Sequence, residues 1–82
     1  MTEENRLRLK KQLPETFKIE SAMDYESYCK VRGLLGQWAV IIEWNYTDEP
    51  DRVWLATHGI STLGKEGPCD LNQLKNVLLS LS

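Results

Sequence analysis

Residues 37–58 constrain this chain most. Trp38, Val40, Ile42, Trp44 and Tyr46 alternate with Ala39, Ile41, Glu43 and Asn45, a period of two built from aromatic and β-branched residues, which predicts a strand. Residues 52–58 predict a second strand. Between them, Thr47-Asp48-Glu49-Pro50-Asp51 carries turn-forming residues and a proline that cannot extend a ladder. The outcome is an antiparallel hairpin with a polar tip.

The register of that hairpin decides which tryptophans meet, because a slip of one residue moves a whole side-chain set to the other face. With Tyr46 opposite Asp51, Trp44 faces Val53 and Ile42 faces Leu55. One face then gathers Trp38, Val40, Ile42, Trp44, Val53 and Leu55. The other carries Ala39, Ile41, Glu43, Trp54, Ala56 and His58. The alternative register stacks Trp44 on Trp54 and sinks His58 among apolar groups, where its imidazole would lose hydration, so the first is preferred.

A two-stranded ribbon apolar on both faces needs two covering layers. The flanking segments offer helices for the purpose. Thr2 is a helix N-cap with Glu3 and Glu4 in the first turn and Arg8, Lys10 and Lys11 near the end, before Pro14 stops the helix. Its apolar stripe is narrow: Leu9 and Leu13, with Leu7 nearby. Residues 17–19 alternate as a short edge strand would, although a helix starting at Glu15 fits them too. Ser21 or Asp24 then predicts an N-cap for a second helix through Arg32, with Tyr25, Tyr28, Cys29 and Val31 on one face and Gly33 as its stop. Gly33-Leu34-Leu35-Gly36 has the GxxG spacing of phosphate-clamping loops but lacks basic neighbours, and reads as a helix-to-strand turn. Residues 59–68 read as a loop held down by Ile60 and Leu63. Asp70 caps a last helix, with Gln73 completing a capping box; Leu71, Leu74, Leu78 and Leu81, flanked by Val77 and Leu79, give it a broad apolar face running to the final residue.

The predicted fold class is therefore α+β: a small antiparallel β-hairpin, with three strands if residues 17–19 join it, covered by two or three helices. At 82 residues the chain reads as a single domain spanning 1–82, and a domain this size hides only roughly 60% of its surface. Such a thin core favours self-association. The composition, 41% hydrophobic and 27% charged with a net charge of -2, excludes collagen-like and disordered classes. The longest apolar run, Trp38-Ala39-Val40-Ile41-Ile42, is far short of the ~20 residues that span a bilayer. Residues 1–7 are charged where a signal peptide needs an apolar segment, which predicts a cytoplasmic protein with Cys29 and Cys69 as reduced thiols. Two cysteines and one histidine are too few soft ligands for a zinc site, and no cofactor is expected.

On these grounds the chain reads as a small, non-catalytic interaction or regulatory protein. The face carrying Ile41, Glu43, Trp54, Ala56 and His58, together with Leu78 and Leu81 at the end of the leucine helix, is its expected protein-binding surface, and the partner is another protein or a second copy in a homo-oligomer. The alternative is a single-stranded nucleic-acid module in which sheet aromatics stack bases and Arg6, Arg8, Lys10 and Lys11 border them. Against it, Glu43, Asp48, Glu49 and Asp51 would repel phosphate at the hairpin tip. The same acidic tip would suit a basic patch on a protein. Catalysis would need His58 beside Ser61, Thr57 or Cys69 with an orienting carboxylate, and no GxSxG, P-loop, HExxH or Rossmann pattern is present.

Overall fold

The structure, a computed structural model, describes residues 1–61 and 64–81. Helix α1 (Glu3–Lys11) leads into five strands, β1 (Lys18–Asp24), β2 (Tyr28–Leu35), β3 (Trp38–Asn45), β4 (Arg52–Gly59) and β5 (Glu66–Asp70). One 3-10 turn (Leu71–Gln73) and a short helix α2 (Leu74–Leu79) follow. The strands form one antiparallel meander in chain order. Consecutive strands joined by short connections pair directly in this way.

This corrects the predicted fold class. The sheet has five strands rather than the two or three of a small hairpin, and the segment read as a helix from Ser21 or Asp24 to Arg32 is the β1–β2 hairpin. The physical reason lies in unpaired backbone. A lone β3–β4 ribbon leaves a row of N–H and C=O groups open on each outer edge; β2 and β5 supply partners along both edges. The spacing of Tyr25, Tyr28, Cys29 and Val31 satisfies a helical stripe. Residues 28–35 also alternate, with Cys29, Val31 and Leu35 buried between Tyr28, Lys30, Arg32 and Leu34, and edge pairing selects that period.

Residues 17–19 do enter a strand, but β1 runs to Asp24 with a bulge between Ile19 and Ser21. The GxxG segment is no helix-to-strand turn. Gly33 lies inside β2, and Gly36, at φ +60°, opens the two-residue turn between Leu35 and Trp38, as a type II′ hairpin requires of its first central residue.

The β3–β4 hairpin has the preferred register: Ile42 pairs with Leu55, Ile41 with Ala56 and Glu43 with Trp54. Its inward face is the core. Val40, Ile42, Trp44, Val53 and Leu55 pack with Cys29, Val31 and Leu35 of β2 beneath Leu9, Phe17, Leu71, Leu74 and Leu78. Both helices thus cover one side of the sheet. Thr2 caps α1, its hydroxyl accepting from the Asn5 N–H at 3.1 Å. Arg8 docks the helix by pairing with Asp51 at 2.8 Å and lying 5.8 Å above the Trp44 ring, while the Trp44 indole donates to the Pro50 carbonyl at 3.2 Å. Gln12 joins the two helical segments, its side-chain oxygen accepting from the Lys75 N–H at 3.2 Å.

The C-terminal segment is more broken than its leucine periodicity predicts. Asp70 does cap it, accepting from the Asn72 N–H at 2.8 Å, but a 3-10 turn precedes α2, and Gln73 caps with no side-chain bond. In the preceding loop, Ile60 is 87% exposed rather than tucked down. Leu63 and the final residue, Ser82, lie outside the described residues. No helix among the described residues is long and apolar enough to cross a membrane.

Candidate functional site

Alternation in a strand sends every second side chain to the face opposite the core, and with both helices on one side that opposite face has no helical cover among the described residues. Its centre is the outward set of β3 and β4: Ala39, Ile41 and Glu43 beside His58, Ala56 and Trp54, their paired positions. Trp54 is 45% exposed, whereas Trp44, one residue along the pairing and on the core side, is fully buried. Five predicted surface residues, Ile41, Glu43, Trp54, Ala56 and His58, therefore lie together on one open face.

Leu78 does not join them. It is fully buried in the core. Leu81 packs against that core, and its carbonyl accepts from the Trp38 indole at 3.0 Å. The end of the leucine helix is thus spent on covering the inner face, and the expectation that it shares a surface with Trp54 is corrected by the sheet lying between them.

The neighbouring strands add residues that the sequence reading assigned elsewhere. Tyr28, Lys30, Arg32 and Leu34 come from β2, and Glu66 and Pro68 from β5, through pairings of Lys30 with Glu43, Arg32 with Ile41, Pro68 with Trp54 and Glu66 with Ala56. The signal for the β2 set was present as an apolar–polar alternation through Cys29, Lys30, Val31 and Arg32. Lys30 meets Glu43 at 3.6 Å. A shallow depression of about 490 Å³ opens among Arg32, Ile41, Ala56, His58 and Glu66. A second, of about 340 Å³, lies between Tyr28, Trp54, Pro68 and the acidic loop at Asp48 and Glu49.

The residues named for the two alternative chemistries lie as follows. Cys69 pairs with Val53, on the core side of the sheet, and so lies across the sheet from His58. The Thr57 hydroxyl is engaged with the Lys65 backbone at 3.3 Å. His58 is therefore not placed to activate Cys69. Of the basic residues of α1, Arg8 lies over Trp44, on the side of the sheet opposite Trp54. Of the tip carboxylates, Asp51 is held by Arg8, and Asp48 accepts from the Asn45 side-chain amide at 3.3 Å.

Among the described residues no three His, Cys, Asp or Glu side chains gather as a metal site. Compared with protein-family models, with curated proteins and with solved structures, the chain matches none.

Proposed function

We propose that the protein is a small cytosolic interaction module, regulatory rather than catalytic, that binds a protein partner through the open face of its sheet. One observation carries this reading: both helices cover the same side, leaving Trp54, Ile41, Ala56 and Leu34 as an apolar strip on the other. Tyr28 at 39%, Leu34 at 37% and Trp54 at 45% exposure form the aromatic and aliphatic part of the strip, and Lys30, Glu43, Arg32 and Glu66 rim it. A large exposed indole inside a charged rim is the composition of an interaction hot spot. The strip is also held on paired strands of a five-stranded sheet, which lowers the ordering cost of binding.

The test is site-specific photocrosslinking in living cells of the native host. A benzophenone side chain at Trp54 is expected to give a discrete protein adduct, and the same probe at Leu7, which is 55% exposed on α1, is expected to give none. Equal labelling from both positions, or none from Trp54, would overturn the reading.

A further inference from the structure

Charge on the open face is sorted across the strands. The row that crosses the sheet through Ile41 reads Arg32, Ile41, Ala56, Glu66 in paired positions, a cation at one side, two apolar residues at the centre and an anion at the other. Lys18, outward on β1 opposite Leu34, extends the basic side, and Asp70, opposite Arg52, extends the acidic side. Glu20, at the β1 bulge, is the acidic exception on the basic side, and Arg52 the basic exception on the acidic side. Arg32 and Glu66 sit three strand spacings apart, about 14 Å, and among the described residues neither is in an ion pair.

A closed dimer presents the same patch twice, so the order of charges selects the symmetry axis. A two-fold axis running across the strands lays β2 on β2 and sets Arg32 against its own copy. An axis parallel to the strands, between β3 and β4, lays β2 over β5 and β3 over β4. Arg32 then meets the partner's Glu66, and Ile41 fits over the partner's Ala56, a large side chain opposite a small one as interdigitated sheets require. In the neighbouring row Trp54 is laid over Glu43 and Pro68 over Lys30.

Resting on the reading of this face as an interface, we propose that its occupant is a second copy of the chain, joined face to face about that strand-parallel two-fold axis. Three strands of eight residues and one of five give a flat footprint of roughly 460 Å² per copy, so both copies together come to about 900 Å² against the ~1,000 Å² that a specific association needs, before side-chain relief is added.

Sedimentation velocity of the full chain from micromolar to millimolar concentration tests this. The wild-type chain is expected to dimerise. Arg32→Glu and Glu66→Arg are each expected to weaken the dimer at least about tenfold, and the double swap to restore it. Both positions are exposed, and circular dichroism checks that each variant folds. A chain that stays monomeric at millimolar concentration overturns the second copy as occupant; so do single swaps that leave dimerisation unchanged, or a double swap that fails to recover it. The crosslinker at Trp54 reads the broader interface separately: a monomeric chain that still gives a Trp54-specific adduct with another protein defeats the dimer and leaves the interface standing.

Discussion

The Tyr46 hydroxyl donates to Asp24 Oδ1 at 2.6 Å, fastening the residue after β3 to the last residue of β1 across the intervening β2. The same hydroxyl approaches the Tyr25 and Tyr28 carbonyls, and the other carboxylate oxygen of Asp24 meets the Met1 ammonium at 3.0 Å. These contacts hold the Asp24 carboxyl below its usual 3.8, the Tyr46 bond first and the ammonium second.

A group with a lowered native pKa contributes stability that is present above its unfolded value and lost as pH falls through the native one. Tyr46→Phe removes the largest cause. The urea midpoint of the variant should therefore lie below that of wild type at neutral pH, with the gap narrowing once the pH drops under about 4. Denaturation curves at several pH values check this. A gap that stays constant would mean that the hydroxyl serves the backbone carbonyls and not the carboxylate.

At the alkaline end the sign reverses. The Asp24 hydrogen bond, with burial second, pushes the Tyr46 phenol from 10.0 up to about 12, so its contribution is complete below the unfolded value and disappears as pH rises through the native one. Asp24→Asn should bring this phenol back toward 10, read from the ring-carbon shifts of Tyr46 in an NMR titration.

Gly33 is pinned by packing. A Cβ there would sit 2.5 Å from both the Phe17 ring and the Lys18 carbonyl, because Ile19 of the edge strand pairs opposite Gly33 and brings the ring down onto the bare backbone. Overpacking of this kind typically costs ~1–3 kcal/mol. Gly33→Ala should therefore lower stability by about that amount, and in a double-mutant cycle with Phe17→Leu the two losses should be less than additive. Full additivity in chemical denaturation would count against the contact.

The two hairpin tryptophans should behave as opposites. Trp44 is fully buried and Trp54 is 45% exposed. Trp44→Ala is expected to cost ~3–5 kcal/mol, whereas Trp54→Ala should stay within about 0.5 kcal/mol in a monomer. Iodide should quench Trp54 fluorescence and spare Trp44. Equal quenching of the two indoles would mean that the register is wrong.

That contrast was legible in the sequence because β3 and β4 alternate strictly, so one local rule fixed both register and sidedness. Helix α1 was legible for a similar reason: its cap, its end charges and Pro14 all fall within a few residues of the helix. β1 and β2 were not. Residues 18–24 are exposed throughout and carry no apolar alternation, and their strand state comes from pairing with β2, a tertiary demand that no local spacing records. Half of the candidate site shared this fate. Ile41 and Trp54 follow from the hairpin, but Arg32 and Glu66 reach the same face only once β2 and β5 are known to flank it. Leu78 was misplaced because periodicity gives the helix an apolar stripe and leaves open which surface that stripe covers.

The two thiols should differ in reactivity for a reason that combines access and charge. Cys29 is 2% exposed beneath α1, and burial, with the nearby Asp24 carboxylate second, pushes its thiol from 9.0 up to about 11. Cys69 is half-buried on β5, next to Asp70, and burial raises its thiol as well. Only the thiolate attacks a disulfide reagent. At pH 8 a group of pKa ~11 is ionised in about one molecule per thousand, and the Cys29 sulfur is also shielded by the core. Ellman's reagent should therefore modify Cys69 first, and Cys29 only on a timescale set by opening of the fold. Urea below the unfolding midpoint should speed the second phase and barely alter the first. The raised Cys29 value adds to that of Tyr46: both groups keep their protons better when folded, so stability should fall as pH climbs from about 9 to about 12. Cys29→Ser should lessen that alkaline loss while lowering stability at neutral pH by leaving a hydroxyl in an apolar site. Cys29 labelling as fast as Cys69 under native conditions would show that α1 does not seal this end of the core.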